Sequence, residues 1–318
     1  MRHLETYKIF EANKPIGLNT KQTAFLNKYV TNMNPGRRGW DVSYSTNPPT
    51  VNVFTALYTN QWGSGDKKIK SLQRIHFGKI SGDFNLQDIE ISTFEGFPKE
   101  VEGNFKLGYN VKLNVPFEEF PEVKIEGDLE LSVRGLESLV GCPEEVGSLS
   151  VWMTRIMDMT GCPKRYTNPG GSGVKYEINL VMNERLISLE GLPKEIDSKM
   201  INIGDEKTLY PSRVRKETLI QGFKDFQKTG TWTPYYVMLK QNADLSDWDE
   251  GMKSHLDSKI NPEAIQEFID LDPSKAAIVL KGMWTKLKAD PKYSNVKFPE
   301  LHSKNADLLG DLSDVGLD

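Results

Sequence analysis

Between about residue 71 and residue 204 the apolar positions fall into one recurring pattern: apolar, two spacers, apolar, spacer, Gly, apolar, Pro. Four segments carry it: Ile91–Pro98, Leu136–Pro143, Ile156–Pro163 and Leu186–Pro193. A fifth, ending Phe117-Glu118-Glu119-Phe120-Pro121, is degenerate, with Glu119 in the Gly position and Asn114 in the first apolar one. The prolines at 98, 121, 143, 163 and 193 are separated by 23, 22, 20 and 30 residues. After each proline come two polar residues and usually an apolar one (Val101, Val146, Tyr166, Ile196), then a turn, then a triplet reading apolar–polar–apolar. The triplets are Phe105-Lys106-Leu107, Leu129-Glu130-Leu131, Leu149-Ser150-Val151, Tyr176-Glu177-Ile178 and Ile201-Asn202-Ile203, with an earlier copy at Phe84-Asn85-Leu86.

A strand of three residues buries its apolar side only when stacked on copies of itself. A period near 22 residues therefore predicts a parallel β-solenoid, its strands about 4.8 Å apart and the outer residues of each triplet forming apolar ladders inside. Proline ends each short strand, and it restricts the residue before it to extended backbone. Phe97, Phe120, Cys142, Cys162 and Leu192 are then expected as a buried column at that corner. The alternative fold is a β-rich domain with recurrent turns and no solenoid.

These residues resemble a family. The anchor followed by Gly-x-Phe-x-Leu is similar to leucine-rich-repeat-like proteins of tailed bacteriophages, most closely at Leu186–Ile196 (LISLEGLPKEI) and Thr93–Phe105 (TFEGFPKEVEGNF). The likeness also takes in Leu18–Gln22, Phe25–Tyr29, Trp40 and Phe77–Phe84, and so spans about residues 18–204. The 30-residue copy and Glu119 depart from the family pattern. Residues 1–12 resemble the leaders that direct internal proteins into phage heads, cut after a glutamate such as that of Ile9-Phe10-Glu11; an amphipathic first helix is the other reading. The resemblance implies a phage protein in the host cytoplasm or the virion, and repeats of this kind imply protein binding.

The flanking segments divide the chain further. Residues 1–15 form an amino-terminal peptide or helix and 16–70 a cap. The cap contains a short helix at Lys21–Tyr29 and two strands, Trp40–Tyr44 and Val51–Phe54, around Asn47-Pro48-Pro49. A cap is expected because an exposed first-strand edge invites aggregation. Trp62–Lys68 is glycine-rich and basic, lacks phosphate-loop spacing, and reads as a surface loop, as does Pro169–Gly173. The solenoid occupies 71–210. Residues 211–303 read as helical: Pro211–Lys228, Ala264–Leu271 and Ala276–Leu287, two of them opened by Asn261-Pro262 and Asp272-Pro273, each a capping residue followed by proline. Trp232, Tyr235, Tyr236, Trp248 and Trp284 lack an accompanying basic stripe and read as helical core rather than a base-stacking surface. The end, 304–318, is acidic, either a solvated terminus or a partner-docking peptide.

The fold class is thus α+β: a leucine-rich-repeat-like parallel β-solenoid with an amino-terminal cap and a carboxy-terminal helical region. Composition narrows the chemistry. The 318 residues are 38% hydrophobic and 26% charged, which suits folded domains with real cores. Two cysteines exclude a disulfide-stapled scaffold or a cysteine zinc cage, and four scattered histidines give no metal pattern. Both cysteines are expected as free thiols. A net charge of −4 argues against nucleic-acid binding, and no apolar run approaches a membrane span or a signal-peptide core. No catalytic motif and no cofactor fingerprint is present. The Glu-Glu and Lys-Glu pairs after the prolines (Glu144-Glu145, Lys99-Glu100, Lys194-Glu195) read as solvated rim.

What remains is surface. The outward residues of the triplets, Asn85, Lys106, Glu130, Ser150, Glu177 and Asn202, are expected to line up as a polar row about 24 Å long. The expectation is a non-enzymatic protein that uses this row, or the rim, to bind a protein partner, with no nucleic acid, membrane, metal or cofactor. A structural or internal virion component is the alternative, and an enzyme, hidden in 211–300, the third.

Overall fold

A computed structural model describes residues 17–30, 39–46, 48–59, 72, 74–108, 111–167, 176–204, 207–208 and 212–298. The leader-like segment 1–15, Trp62–Lys68, Pro169–Gly173 and the acidic end 304–318 lie outside them. The chain divides into two compact units. The first runs to Leu186 and from Gly191 to Ser212; the second holds Ile187–Glu190 and everything from Arg213.

The first unit opens with helix α1 (Thr20–Tyr29). Asn19 starts it with a capping box: its side chain accepts the Gln22 N–H at 3.0 Å, and Gln22 accepts the Asn19 N–H at 3.0 Å. Strands β1 (Trp40–Ser43) and β2 (Thr50–Val53) form an antiparallel hairpin, Trp40 opposite Val53. All other named strands pair in parallel, as stacked coils require.

The main sheet contains seven strands: β3 (Leu57–Tyr58), β5 (Phe84–Leu86), β8 (Phe105–Leu107), β11 (Leu129–Leu131), β13 (Leu149–Val151), β15 (Ile178–Asn179) and β16 (Ile201–Asn202). Its register aligns Phe84, Phe105, Leu129, Leu149, Ile178 and Ile201 in one ladder. All six are buried, as are Leu86, Leu107, Leu131 and Val151 on the second ladder. A second sheet joins β2 to β4 (His76–Ile80), β7 (Glu100–Val101) and β10 (Lys124–Ile125), behind β1. Short pairs β12 (Glu145–Val146) with β14 (Arg165–Tyr166), and β6 (Glu90–Ile91) with β9 (Lys112–Leu113), complete the ladders. The protein is therefore a parallel β-solenoid followed by helices. Its sheets take in β2 and β3, upstream of the expected start at residue 71.

Sterics fix the coil at two places. The anchor glycines Gly96, Gly141, Gly161 and Gly191 all hold positive φ, from 86° to 103°. A Cβ on any of them would lie 2.2–2.3 Å from backbone of the preceding coil. On the main sheet, Gly82, Gly103, Gly127 and Gly147 stack on one another, and each N–H after the first donates to the glycine carbonyl before it at 2.7–3.2 Å. A Cβ on Gly127 would fall 2.5 Å from the Gly103 oxygen. Coils close this tightly only through glycine. Inside, Phe97, Phe105 and Phe120 pack at centroid distances of 5.4–6.1 Å. The corner column then continues through Cys142, Cys162 and Leu192, of which Cys142 alone is only half-buried.

The second unit holds helices α2 (Lys216–Thr229), α3 (Thr233–Asn242), α4 (Glu250–Lys259), α5 (Pro262–Leu271), α6 (Pro273–Leu280) and α7 (Trp284–Ala289). Asn261 and Asp272 cap as expected, accepting the N–H groups of Ala264 and Lys275 at 2.8 and 2.9 Å. The expected helix Ala276–Leu287 is instead two, α6 and α7, broken by a turn at Lys281–Met283. The expected first helix begins only at Lys216. Trp232, Tyr235, Tyr236, Trp248 and Trp284 are all buried, as helical core. The stretch Ile187–Glu190 is held within this unit by α3: Tyr235 donates to the Ile187 carbonyl at 2.5 Å and Tyr236 to Glu190 at 2.6 Å, while Lys259 of α4 pairs with the same carboxylate. Among the described residues no helix is long and apolar enough to cross a membrane.

Candidate interaction surface

Each main-sheet strand turns its middle side chain away from the apolar ladders, since successive residues of a strand point to opposite faces. The register sets Tyr58, Asn85, Lys106, Glu130, Ser150, Asn179 and Asn202 side by side. Seven residues at the parallel spacing span about 29 Å. All seven are half-buried.

Five of the six residues expected in this row are there. Glu177 is not. Leu149 pairs with Ile178 and Ser150 with Asn179, so Asn179 takes the outward place and Glu177 falls opposite Ser148, one position earlier. The period-2 pattern of Tyr176-Glu177-Ile178 is shared by Ile178-Asn179-Leu180, and the second wins because Ile178 and Leu180 are both fully buried whereas Tyr176 is not. Tyr58 belongs to the row as well, in the stretch 16–70 assigned from sequence to the cap, where no strand was expected at Leu57–Tyr58.

Glu177 joins a different row, at the turn leading into each strand. There Asn104 N–H donates to Asp83 at 2.8 Å, Asp128 N–H to Asn104 at 2.8 Å, and the Ser148 hydroxyl to the buried Asp128 at 2.7 Å. Burial, together with the charge of Asp197, raises the Glu177 carboxyl above its ordinary pKa.

The outward row is largely tied to itself. Lys106 and Glu130 form an ion pair of 2.5 Å. Asn202 donates to Asn179 at 3.0 Å, and Asn179 to Ser150 at 3.3 Å. Tyr58 donates to Asp83 at 2.7 Å; burial first, then that bond and the Asp83 charge, push its hydroxyl up to about 12. Asn85 is the exception, for its Oδ1 is buried without a hydrogen-bond partner. Such an acceptor costs about 1–3 kcal/mol.

The second sheet presents charge instead. Glu100 lies between Lys79 and Lys124, at 3.5 and 3.1 Å, and on the short pair beyond it Arg165 meets Glu145 at 2.7 Å. These exposed pairs satisfy one another and add little stability. Cys142 and Cys162 are free, equivalent positions in successive coils. Burial raises both thiols, Cys162 to about 12, far from the depressed values that mark reactive cysteines. Among the described residues no three His, Cys, Asp or Glu side chains gather as metal ligands.

Compared with known proteins, the chain matches no family model, no curated protein and no solved structure.

Proposed function

We propose that this chain is a non-enzymatic protein-binding solenoid, and that the row from Tyr58 to Asn202 is its recognition surface. The observation that carries the reading is the row itself: seven polar side chains on neighbouring strands of one sheet. Side chains already bonded to each other lose little freedom on docking, so their donors and acceptors are presented at low entropic cost. A protein partner supplies matching donors along an extended segment. The resemblance of the anchors to phage leucine-rich-repeat-like proteins supports a bacteriophage setting, in the infected host's cytoplasm or the virion, with no nucleic acid, membrane or cofactor involved.

The experiment is site-specific photocrosslinking of the full-length chain in phage-infected cells, with the crosslinker at Asn179 or Ser150 and, as controls, at Lys124 or Glu145 away from the row. A discrete partner band from the row positions, absent from the controls, is the expected result. Bands from the controls alone, or from none, overturn the reading. Recovery of the protein from purified particles in tens of copies, crosslinked only to itself or to coat protein, favours the structural virion role instead.

A further inference from the structure

The helical unit carries an open groove of about 650 Å³ along α5. Val296 and Pro262 line it, and Leu271 at its rim is 57% exposed, the most exposed large apolar side chain among the described residues. Glu263, Glu267 and Asp270 edge the same groove at helical spacings of four and three, so they share one face. Among the described residues, no cation lies within 4.0 Å of any of the three. Asp270 accepts only a neutral bond, from Gln266 at 2.8 Å. Lys297, which follows Val296 at the groove's edge, bonds Gln266 through its backbone N–H.

Glu263 suits the first turn of α5, where the helix dipole favours an anion, but the fold gains nothing from the other two. Like charges three and four apart on a helix repel. Asp270 also sits in the last turn of α5, where the helix dipole disfavours an anion and no basic residue offsets it. A local choice that opposes the fold points to a use elsewhere.

We propose that this groove docks a basic amphipathic segment of another protein: apolar side chains against Val296, Pro262 and Leu271, lysines or arginines against the three carboxylates. The sign of the charge excludes nucleic acid. It also disfavours the chain's own end, because the 20 residues after Phe298 hold five acids against one lysine. This site is separate from the solenoid row, and neither proposal depends on the other.

The test is fluorescence anisotropy with the full-length protein and a labelled synthetic amphipathic peptide of about fourteen residues, lysine on one face and leucine on the other, long enough for a short helix. Its control has glutamate for every lysine. At low salt the basic probe binds and the acidic one does not. E263Q/E267Q/D270N weakens binding about tenfold, a sum of three modest surface charge terms. Leu271→Ser weakens it to a similar degree. E118Q/E119Q/E122Q, an equal charge change on the solenoid, leaves it unchanged. Equal loss from the solenoid triple shows non-specific attraction and overturns the proposal. So does full binding by the α5 triple, binding that appears only after residues 299–318 are deleted, or a self-association abolished by the α5 triple.

Discussion

Gly141→Ala and Gly135→Ala change the same atom six residues apart, and the structure gives them opposite consequences. Gly141 has φ of 103°, and an added Cβ would lie 2.2 Å from the Phe117 carbonyl oxygen. A side chain at positive φ costs about 1–2 kcal/mol. The approach is also roughly 0.8 Å inside the limit that real Cβ atoms keep, so two packed backbones must separate. The carbonyl struck already accepts the Phe120 N–H at 2.9 Å. Shifting it weakens a turn bond worth about 0.5–1.5 kcal/mol. Together these give a loss of about 3–5 kcal/mol, in the range reserved for special backbone sites. Gly135 has an ordinary φ, and no heavy atom lies within 4 Å of the place an alanine methyl would take. Alanine there is neutral, or stabilises by up to about 1 kcal/mol by restricting the unfolded chain. Urea unfolding, with amide exchange resolving solenoid peptides from helical ones, measures both. A loss below about 1.5 kcal/mol in Gly141→Ala, or an equal loss in Gly135→Ala, would refute the corner geometry.

Three further outcomes are expected. Tyr236→Phe removes a buried hydroxyl from Glu190 and should cost the helical unit about 1.5–3 kcal/mol, the range for bonds to charged groups, seen as faster amide exchange in Thr233–Asn242 while the solenoid strands keep their protection. Glu177→Gln should stabilise at pH 7: a carboxyl whose folded pKa is raised destabilises once pH passes its unfolded value, so the gain over wild type shrinks as pH falls through the ordinary carboxyl range and vanishes below it. Cys162 should react with a thiol reagent at pH 8 only as fast as the coils open; a fast phase at Cys162 in the folded protein would contradict its burial.

The solenoid was legible because its devices leave single-residue signatures. Glycine at a positive-φ corner and proline two places later have few substitutes, so their recurrence survives variation elsewhere. The row was legible wherever a glycine stood two residues before the strand, at Gly82, Gly103, Gly127 and Gly147. The copy at 176–180 lacks that glycine, and two triplets fit. Spacing favours the second. Phe84, Leu129 and Leu149 each precede the next anchor by seven residues and Phe105 precedes the degenerate one by nine; Ile178 precedes its own by eight and Tyr176 by ten. Helices α3 and α4 left weaker marks. α3 is buried on most of its surface, through Tyr235, Tyr236, Val237 and Leu239, so it has no polar face to set up a period. α4 buries only Met252 and Leu256, four apart in a polar stretch. The break between α6 and α7 is hidden by apolar residues that continue across it, with Gly282 the single interruption.

Corner and row answer to different constraints, and that bears on the proposed recognition. The corner tolerates one residue because backbone meets backbone there. The row's outward places meet only their neighbours above and below, so any side chain that suits those two is allowed. Seven consecutive places hold Tyr, Asn, Lys, Glu, Ser, Asn and Asn, with one oppositely charged pair at the centre and uncharged amides and a hydroxyl toward the β16 end. A partner approaching the central pair must replace a short ion pair and recovers little. One approaching Asn85 reaches that buried acceptor only if the amide turns outward, and the bond then formed relieves a cost the folded chain already carries. Affinity should therefore concentrate at the Tyr58–Asn85 end. Asn85→Val should raise the solenoid's stability by about 1 kcal/mol, by deleting the unfilled acceptor and favouring the strand, while weakening partner capture more than Ser150→Ala does. Urea melts and crosslinking yields measured on the same variants check both halves, and a variant that loses stability and partner together would remove Asn85 from the recognition surface.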